Sequence, residues 1–358
     1  MALAHCTSLL GLLGHEVIKV ETAPDGDPLR RRAPVVQLAA GSASLPFLWT
    51  SRAKRWVSVG DDRQRVETIG RLAADADVVL ASDPAETAGA KGRRLTLTLS
   101  PFGQVGRRAG WRAGSFSLFH AGGPGYVTPR APQDGTDAVV TPQAPWGHVA
   151  EYFAGIHTAV VVLAYAHQAG PPILELSMQQ ILLPLMRREM AAWRYDGRRP
   201  SRRERLWRVA PSGYYRTRDG WCYVNVIEDQ QWKALCAILG KEEWAEEPRL
   251  ATAESRFENL DLLAPVLEGW LAAHTSAEVF ERCGRARVPV GPANDPKQIL
   301  ASPQLASRGA LPSSWGGTRM PELPPVRGLH QDVPPWSLPA VGADNEAFLP
   351  RTATGLRP

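Results

Sequence analysis

The sequence has no uninterrupted apolar run near the ~18–20 residues that a membrane-crossing helix needs. Its opening, MALAHCTSLLGLLGHEV, is apolar but lacks the basic start of a secretory signal and runs directly into strand-like sequence. A cleaved leader is therefore not expected. Cysteine is scarce: Cys6, Cys222, Cys236 and Cys283 are scattered, with no C-x-x-C pair and no histidine at ligand spacing. That argues against a structural zinc site and fits reduced thiols in a cytoplasmic protein. There is no G-x-G-x-x-G after a strand, no H-E-x-x-H and no G-x-S-x-G. Dinucleotide, zinc-hydrolase and serine-hydrolase readings have no motif to rest on. AGGPG (121–125) is glycine-rich but lacks the Lys-Ser/Thr of a phosphate loop, and reads as a structural turn.

What is present describes a sizeable soluble protein. The chain has 358 residues, 44% of them apolar, and a formal net charge of +5, which is long enough for two domains. The basic excess is arginine, densest in RRPSRRERLWR (198–208). A nucleic-acid site would place such a cluster on a binding element with stacking aromatics. This one lies between better-formed segments and reads as a solvated linker. No nucleic-acid or membrane partner is expected.

Through the first half, strand and helix patterns alternate. GHEVIKVE (14–21), RWVSVG (55–60), DVVLAS (77–82), RRLTLTLS (93–100) and ILELS (173–177) read as strands. RQRVETIGRLAADA (63–76), the long WGHVAEYFAGIHTAVVVLAYAHQ (146–168) and QQILLPLMRREMAAWRY (179–195) read as helices. Such alternation predicts a parallel sheet with crossover helices, and 101–147 is mostly irregular. A second unit opens at YYRTRDGWCYVNVI, where Asp219-Gly220 suits a type I′ hairpin turn. Helices are predicted near 230–239, 257–273, 276–285 and 295–301. The boundaries are a large domain over 1–195, a linker at 196–212, a small α/β domain over 213–310 and a return segment at 311–358, rich in proline.

Single residues carry the chemical candidates. Glu151 lies near the start of the long helix, where an acid is either a favourable partner for the helix dipole or a carboxylate suited to nucleophilic or general-base work. His120, His148 and His157 are close in sequence, each a structural histidine or a catalyst. Lys54 and Arg55 precede a strand, as a solvated edge or a phosphate contact. LLGHEVIKVETAPDGDPLRR (12–31) ends a strand in a loop crowded with turn formers and places Arg30 beyond it.

Taken in order, these stretches resemble the class III CoA-transferases of the CaiB/BaiF type, which include formyl-CoA and carnitine CoA-transferases and 2-methylacyl-CoA racemases. LLGHEVIKVETAPDGDPLR resembles a stretch ending in GAEVIKVE and GDPxR. SRAKRWVSV is similar to NxxKRSVxLD, LAADADVVLAS to ADVVxEN, and LTLSPFGQVG to SxSGFGQxG. ILELSMQQ stands where the family has VDVSMxEA. RTRDGWCYVNV, RVPVGPANDPKQILASPQLASRG and PAVGADNEAFL resemble its later motifs.

The resemblance implies an α/β fold with a Rossmann-like large domain built from both chain ends, a smaller α/β domain between them, and an interlocked homodimer. It implies coenzyme A or acyl-CoA as substrate, lying along the carboxyl ends of the large-domain strands, and a carboxylic acid as acceptor, with no metal. Arg30, Lys54, Arg55 and the Ser100 region fall where the family contacts the nucleotide, whose phosphates suit bidentate arginine. Glu151 takes the position of the family's catalytic aspartate. CoA transfer through a glutamyl anhydride and thioester at Glu151 is the leading expectation. The alternatives are an acyl-CoA racemase, isomerase or dehydratase with Glu151 as base, or a non-catalytic CoA-binding homologue or subunit. Departures accompany the match. The racemases' His-Asp pair falls on Gly114 and Ser115, the loop after ADVV is cropped to SDPAETAGAKGRR, and APSGYY occupies the region of the glycine-rich lid. No counterpart of the family's first strand, ending in VLDL, precedes MALAHC.

Overall fold

A computed structural model describes residues 1–38, 41–60, 62–87, 89–128, 143, 145, 147–168, 172–199, 208–310, 313–315, 318–320 and 338–349. The chain is a mixed α/β protein of two compact units, one made of Met1–Arg203 with Arg308–Pro358 and the other of Glu204–Ser307. Most of the arginine-rich stretch at 198–208, the middle of the turn-rich stretch 101–147 and most of the proline-rich tail lie outside the described residues.

In the first unit, helix α1 (Ala2–Leu12) leads into strand β1 (Ile18–Thr22), followed by a single 3-10 turn over Pro28–Arg31. A hairpin of β2 (Val35–Leu38) and β3 (Gly41–Ser44) precedes α2 (Leu45–Thr50) and β4 (Arg55–Val59). Then come α3 (Asp62–Asp75), β5 (Val78–Ala81), β6 (Leu95–Ser100), α4 (Ser115–Ala121), α5 (Pro124–Val127), the long α6 (Val149–Tyr165) and β7 (Ile173–Ser177). Strands β1, β4, β5, β6 and β7 are parallel as expected, but among the described residues they form two small sheets, β1–β4 and β5–β6–β7, and no single wide one, with the antiparallel β2–β3 hairpin apart from both. The outer edge of β4 is occupied by the return segment: the Trp56 N–H donates to Asp344 Oδ2 (2.7 Å) and the Ser58 N–H to Asn345 Oδ1 (2.8 Å). Side chains thus satisfy ladder groups that another strand would otherwise pair.

The core of this unit joins α1, β6, α6 and α7 (Met178–Leu182) through Cys6, Leu10, Leu97, Ala154, Val162 and Leu182. Leu95, Leu97, Leu99 and Thr98 of β6 are all buried, because β6 is the middle strand and both its faces are covered. The single helix expected at 179–195 is interrupted. After α7 a 3-10 turn covers Leu183–Met186 before α8 (Arg187–Asp196). Pro184 explains the break, since it has no N–H to continue the ladder.

The second unit is built on an antiparallel sheet in the order β10 (Val290–Pro292), β9 (Trp221–Asn225), β8 (Ser212–Arg216). The β8–β9 hairpin is present, but its connection is Thr217–Gly220, with neither Asp219 nor Gly220 at positive φ. A type I′ turn is therefore absent. The Asp219 carboxylate explains this by accepting from Thr217 Oγ1 and from the Ser276 N–H (2.7 Å). Helices α9 (Asp229–Leu239), α10 (Ala253–Glu258), α11 (Leu260–Ala273) and α12 (Ser276–Arg285) cover one sheet face. Arg256 is fully buried there, donating to the carbonyls of Ala210, Leu250 and Ile227 and stacking on Trp232.

Candidate active site

Glu151 sits in the first turn of α6 and is only 6% exposed. Burying a carboxyl group is costly unless its oxygens are hydrogen-bonded. Yet Oε2 is buried and accepts from no described residue, while Oε1 is 3.9 Å from His148 Nδ1. The side chain does not cap its own helix, as an acid kept only for the dipole would often do. It stays because α6 is anchored beneath it: Ala150 and Ala154 are buried against α1 and the sheet.

The surroundings are polar and cationic. Arg32 Nη2 lies 3.4 Å from His148 Nδ1. Burial, reinforced by Arg32, lowers the His148 pKa against the opposing pull of Glu151. Burial next to Glu151 raises that of the Tyr152 phenol. His5 of α1 stands edge-on to Tyr152 with ring centroids 4.7 Å apart, and burial helped by Lys54 pushes its pKa down to about 4. The Lys54 ammonium donates to the Ala4 carbonyl at 2.8 Å, and burial lowers its pKa to about 7. Lys19 of β1 pairs with Asp27 at 2.8 Å.

Of the residues singled out from the sequence, Glu151 and His148 meet here, and Lys54 joins them through His5 and Tyr152. Arg30 is held elsewhere. Its Nε and Nη2 donate to the two oxygens of buried Glu21 (2.9 and 2.7 Å), and its Nη1 to the Pro339 carbonyl. Its guanidinium packs over Phe47 and Trp56. Arg55 is exposed and pairs with Asp344 at 3.2 Å. Ser100 ends β6 and accepts from the Gly103 N–H at 3.1 Å, closing the turn beyond the strand. No hydrogen bond or ion pair joins Arg30, Arg55 or Ser100 to Glu151 among the described residues. His157 is exposed on α6, and His120 bonds through Nδ1 to the Phe116 carbonyl. Arg32, Tyr152 and His5 were not legible as site residues. The only signal for Arg32 is the triplet in GDPLRRR: Arg30 and Arg31 lie in the 3-10 turn and Arg32 follows it in extended backbone, so the three side chains leave in different directions.

A profile of CoA-transferase family III matches residues 1–345. The chain belongs to this family. Among its relatives in CoA-transferase family III, the acetyl-CoA:oxalate CoA-transferase of Acetobacter aceti is 26% identical over 332 residues, covering 89% of this chain and 83% of its own. The succinyl-CoA–L-malate CoA-transferase alpha subunit of Chloroflexus aurantiacus is 26% identical over 328 residues, covering 85% and 74%. A CaiB/BaiF family protein from Brucella suis has the same fold, with a TM-score of 0.75 at 22% identity over 96% of this chain and 93% of that one. Rv3272 from M. tuberculosis gives a TM-score of 0.74 at 22% identity over 97% and 94%. Among the described residues no cluster of three metal-ligating side chains occurs, and no helix is long and apolar enough to cross a membrane.

Proposed function

We propose that this chain transfers CoA between carboxylic acids, with Glu151 as the nucleophile. The observation that carries the reading is the buried, unpartnered Oε2 of Glu151 beside a cationic rim. A carboxylate oxygen stripped of solvent and hydrogen bonds is a stronger nucleophile than one in water. The oxygen attacks the thioester carbonyl of an acyl-CoA. The C–S bond breaks, CoA leaves as thiolate, and a mixed anhydride forms. The thiolate then attacks the glutamyl carbonyl, releasing the donor acid and leaving a glutamyl–CoA thioester. The acceptor carboxylate repeats the sequence in reverse and takes CoA away, with Glu151 regenerated and no net proton moved.

The positions corresponding to the racemases' His-Asp pair, Gly114 and Ser115, open α4 with no titratable side chain, so two-base proton exchange lacks a second base there. In this reading the first unit is a Rossmann-like CoA-binding domain, the chain works as an interlocked homodimer, and exposed Arg55 is a contact for the nucleotide phosphates. Arg30 acts at one remove, by fixing the loop that leads to Arg32.

Incubating the enzyme with an acyl-CoA and hydroxylamine is expected to leave a hydroxamate on the peptide containing Glu151, detected by mass spectrometry. Glu151→Ala is expected to lose the adduct and at least about 1000-fold in CoA transfer. Full transfer activity in that variant would exclude the mechanism.

A further inference from the structure

We propose that His148 is an acid-operated lock on Glu151: while neutral it leaves the carboxylate free to attack, and once protonated it turns from Arg32 and ties Glu151 into an ion pair. The inference rests on Glu151 being the reacting carboxylate, and it deepens that reading by naming how the site is regulated.

His148 is the N-cap residue of α6, yet its side chain caps no backbone N–H of the helix. It stands three residues before Glu151, a spacing that puts the two side chains on one face. His148 Nδ1 lies 3.4 Å from Arg32 Nη2 and 3.9 Å from Glu151 Oε1. A guanidinium only donates, so Nδ1 offers Arg32 a lone pair and the ring stands here in its neutral form. Arg32 is also the most loosely held of the three consecutive arginines. Arg30 is fixed by buried Glu21, and Arg31 pairs with Asp25 at 3.6 Å. Exposed Arg32 reaches the imidazole by one long bond.

A proton on Nδ1 reverses both contacts. The nitrogen becomes a donor, repels the guanidinium and attracts the carboxylate. Closing the 3.9 Å gap to a charge-assisted bond of about 2.8 Å needs a shift of about 1 Å. Rotation of the ring supplies it, and Arg32 swings into solvent. The two oxygens of Glu151 share one charge, so a bond donated to Oε1 also drains Oε2, the oxygen that accepts from no described residue. The nucleophile is then quenched without leaving its place.

Groups on three segments face His148. Glu151 and Tyr152 lie on its own helix, Arg32 follows the 3-10 turn, and the Met1 ammonium stands ahead of α1. Tyr152 is edge-on, with ring centroids 6.5 Å apart, and its raised phenol pKa keeps it uncharged. Burial, Arg32 and the Met1 ammonium hold the His148 pKa below its ordinary 6.5, against the pull of Glu151. The lock is therefore open at pH 7 and closes as the pH falls below that ordinary value.

Histidine ring signals followed by NMR from pH 8 to 5 test the pairing directly, with His148→Gln identifying the His148 signal among eight by its loss. Glu151→Gln is expected to move the His148 titration to lower pH, because the charge that favours the imidazolium is gone. Exchange of labelled succinate into succinyl-CoA is measured over the same range, each protein normalised to its own rate at pH 8. The wild type is expected to lose about 3- to 10-fold by pH 5, following the NMR titration of His148, and His148→Gln less than about 2-fold. Any weakening of the fold through His5 is common to both proteins and drops out of the comparison. Three results overturn the inference: a His148 titration unmoved by Glu151→Gln, a wild type without an acid limb, or the same acid limb in His148→Gln. If hydroxylamine captures no adduct at Glu151 in the wild type at pH 8, the transfer reading falls and this inference with it. An adduct at pH 8 with equal acid limbs removes this inference alone.

Discussion

Glu21 and Glu151 are both buried carboxyl groups of the first unit, and their partners separate their roles. Glu21 receives two bonds from Arg30 and one from the Asp27 N–H, so its charge is compensated and it fixes the loop after β1. Glu151 is left short of donors at the same depth, which a purely structural carboxyl has no reason to be. Beside it, His5 gives a pH signature. Its pKa falls from about 6.5 unfolded to about 4 in the fold, so the folded ring stays neutral while the unfolded chain takes up a proton. Its contribution to stability is complete above about pH 6.5 and is lost as pH falls towards 4, amounting to at most about 3 kcal/mol. Urea midpoints measured from pH 7 to 4 should fall more steeply in the wild type than in His5→Gln. Parallel slopes would show that His5 is not buried as described.

At the scale of elements, the crossing of α1 over α6 positions the site. Gly155 makes the close approach: a Cβ there would lie 2.6 Å from the Ala2 carbonyl oxygen and 3.1 Å from the His5 Cβ. Alanine gains about 1 kcal/mol of helix propensity over glycine, but overpacking backbone against backbone costs about 1–3 kcal/mol. Because the obstacle is a carbonyl and not a flexible side-chain tip, the cost is placed at the upper end. Gly155→Ala is expected to lower stability by about 1–2 kcal/mol and to reduce activity by displacing α1 and the α6 start that carries Glu151. A higher urea midpoint in this variant would contradict the close crossing.

Across the whole molecule, the chain leaves the first unit, builds the second, and returns so that Asp344 and Asn345 close the edge of β4. Bringing such distant segments together carries a loop-closure cost that grows only slowly with length, and a few well-placed bonds offset it. Asn345 accepts from the Ser58 N–H and donates to Ser58 Oγ at 3.1 Å. Gly342, at φ +69°, keeps the approach open where a Cβ would strike Ser58 Oγ. Removing the amide leaves a ladder N–H without its acceptor, a loss of about 1–3 kcal/mol. Asn345→Ala should therefore melt earlier and release the carboxyl-terminal segment to protease sooner, while Ser58→Ala, which retains the backbone bond, changes little. Equal sensitivity of the two variants would argue against the side chain as the edge closure.

The sequence by itself determined strands β1, β4, β5, β6 and β7, helices α3 and α6, the β8–β9 hairpin, the position of Glu151 at the start of α6 and the family, because periodicity and motif order are local properties of the chain; the short β2–β3 hairpin, α2, α4 and α5 carry too few residues for such a pattern. It did not determine where long side chains end. Arg30 looked like a phosphate contact, yet its guanidinium closes on Glu21 and on Pro339, far along the chain. Lys54, just before β4, finds the Ala4 carbonyl of α1. Arg32, indistinct within a run of three, is set apart only by which neighbours already hold a carboxylate. The pairing of charges is a long-range competition among burial, reach and available partners, and only the tertiary structure decides it.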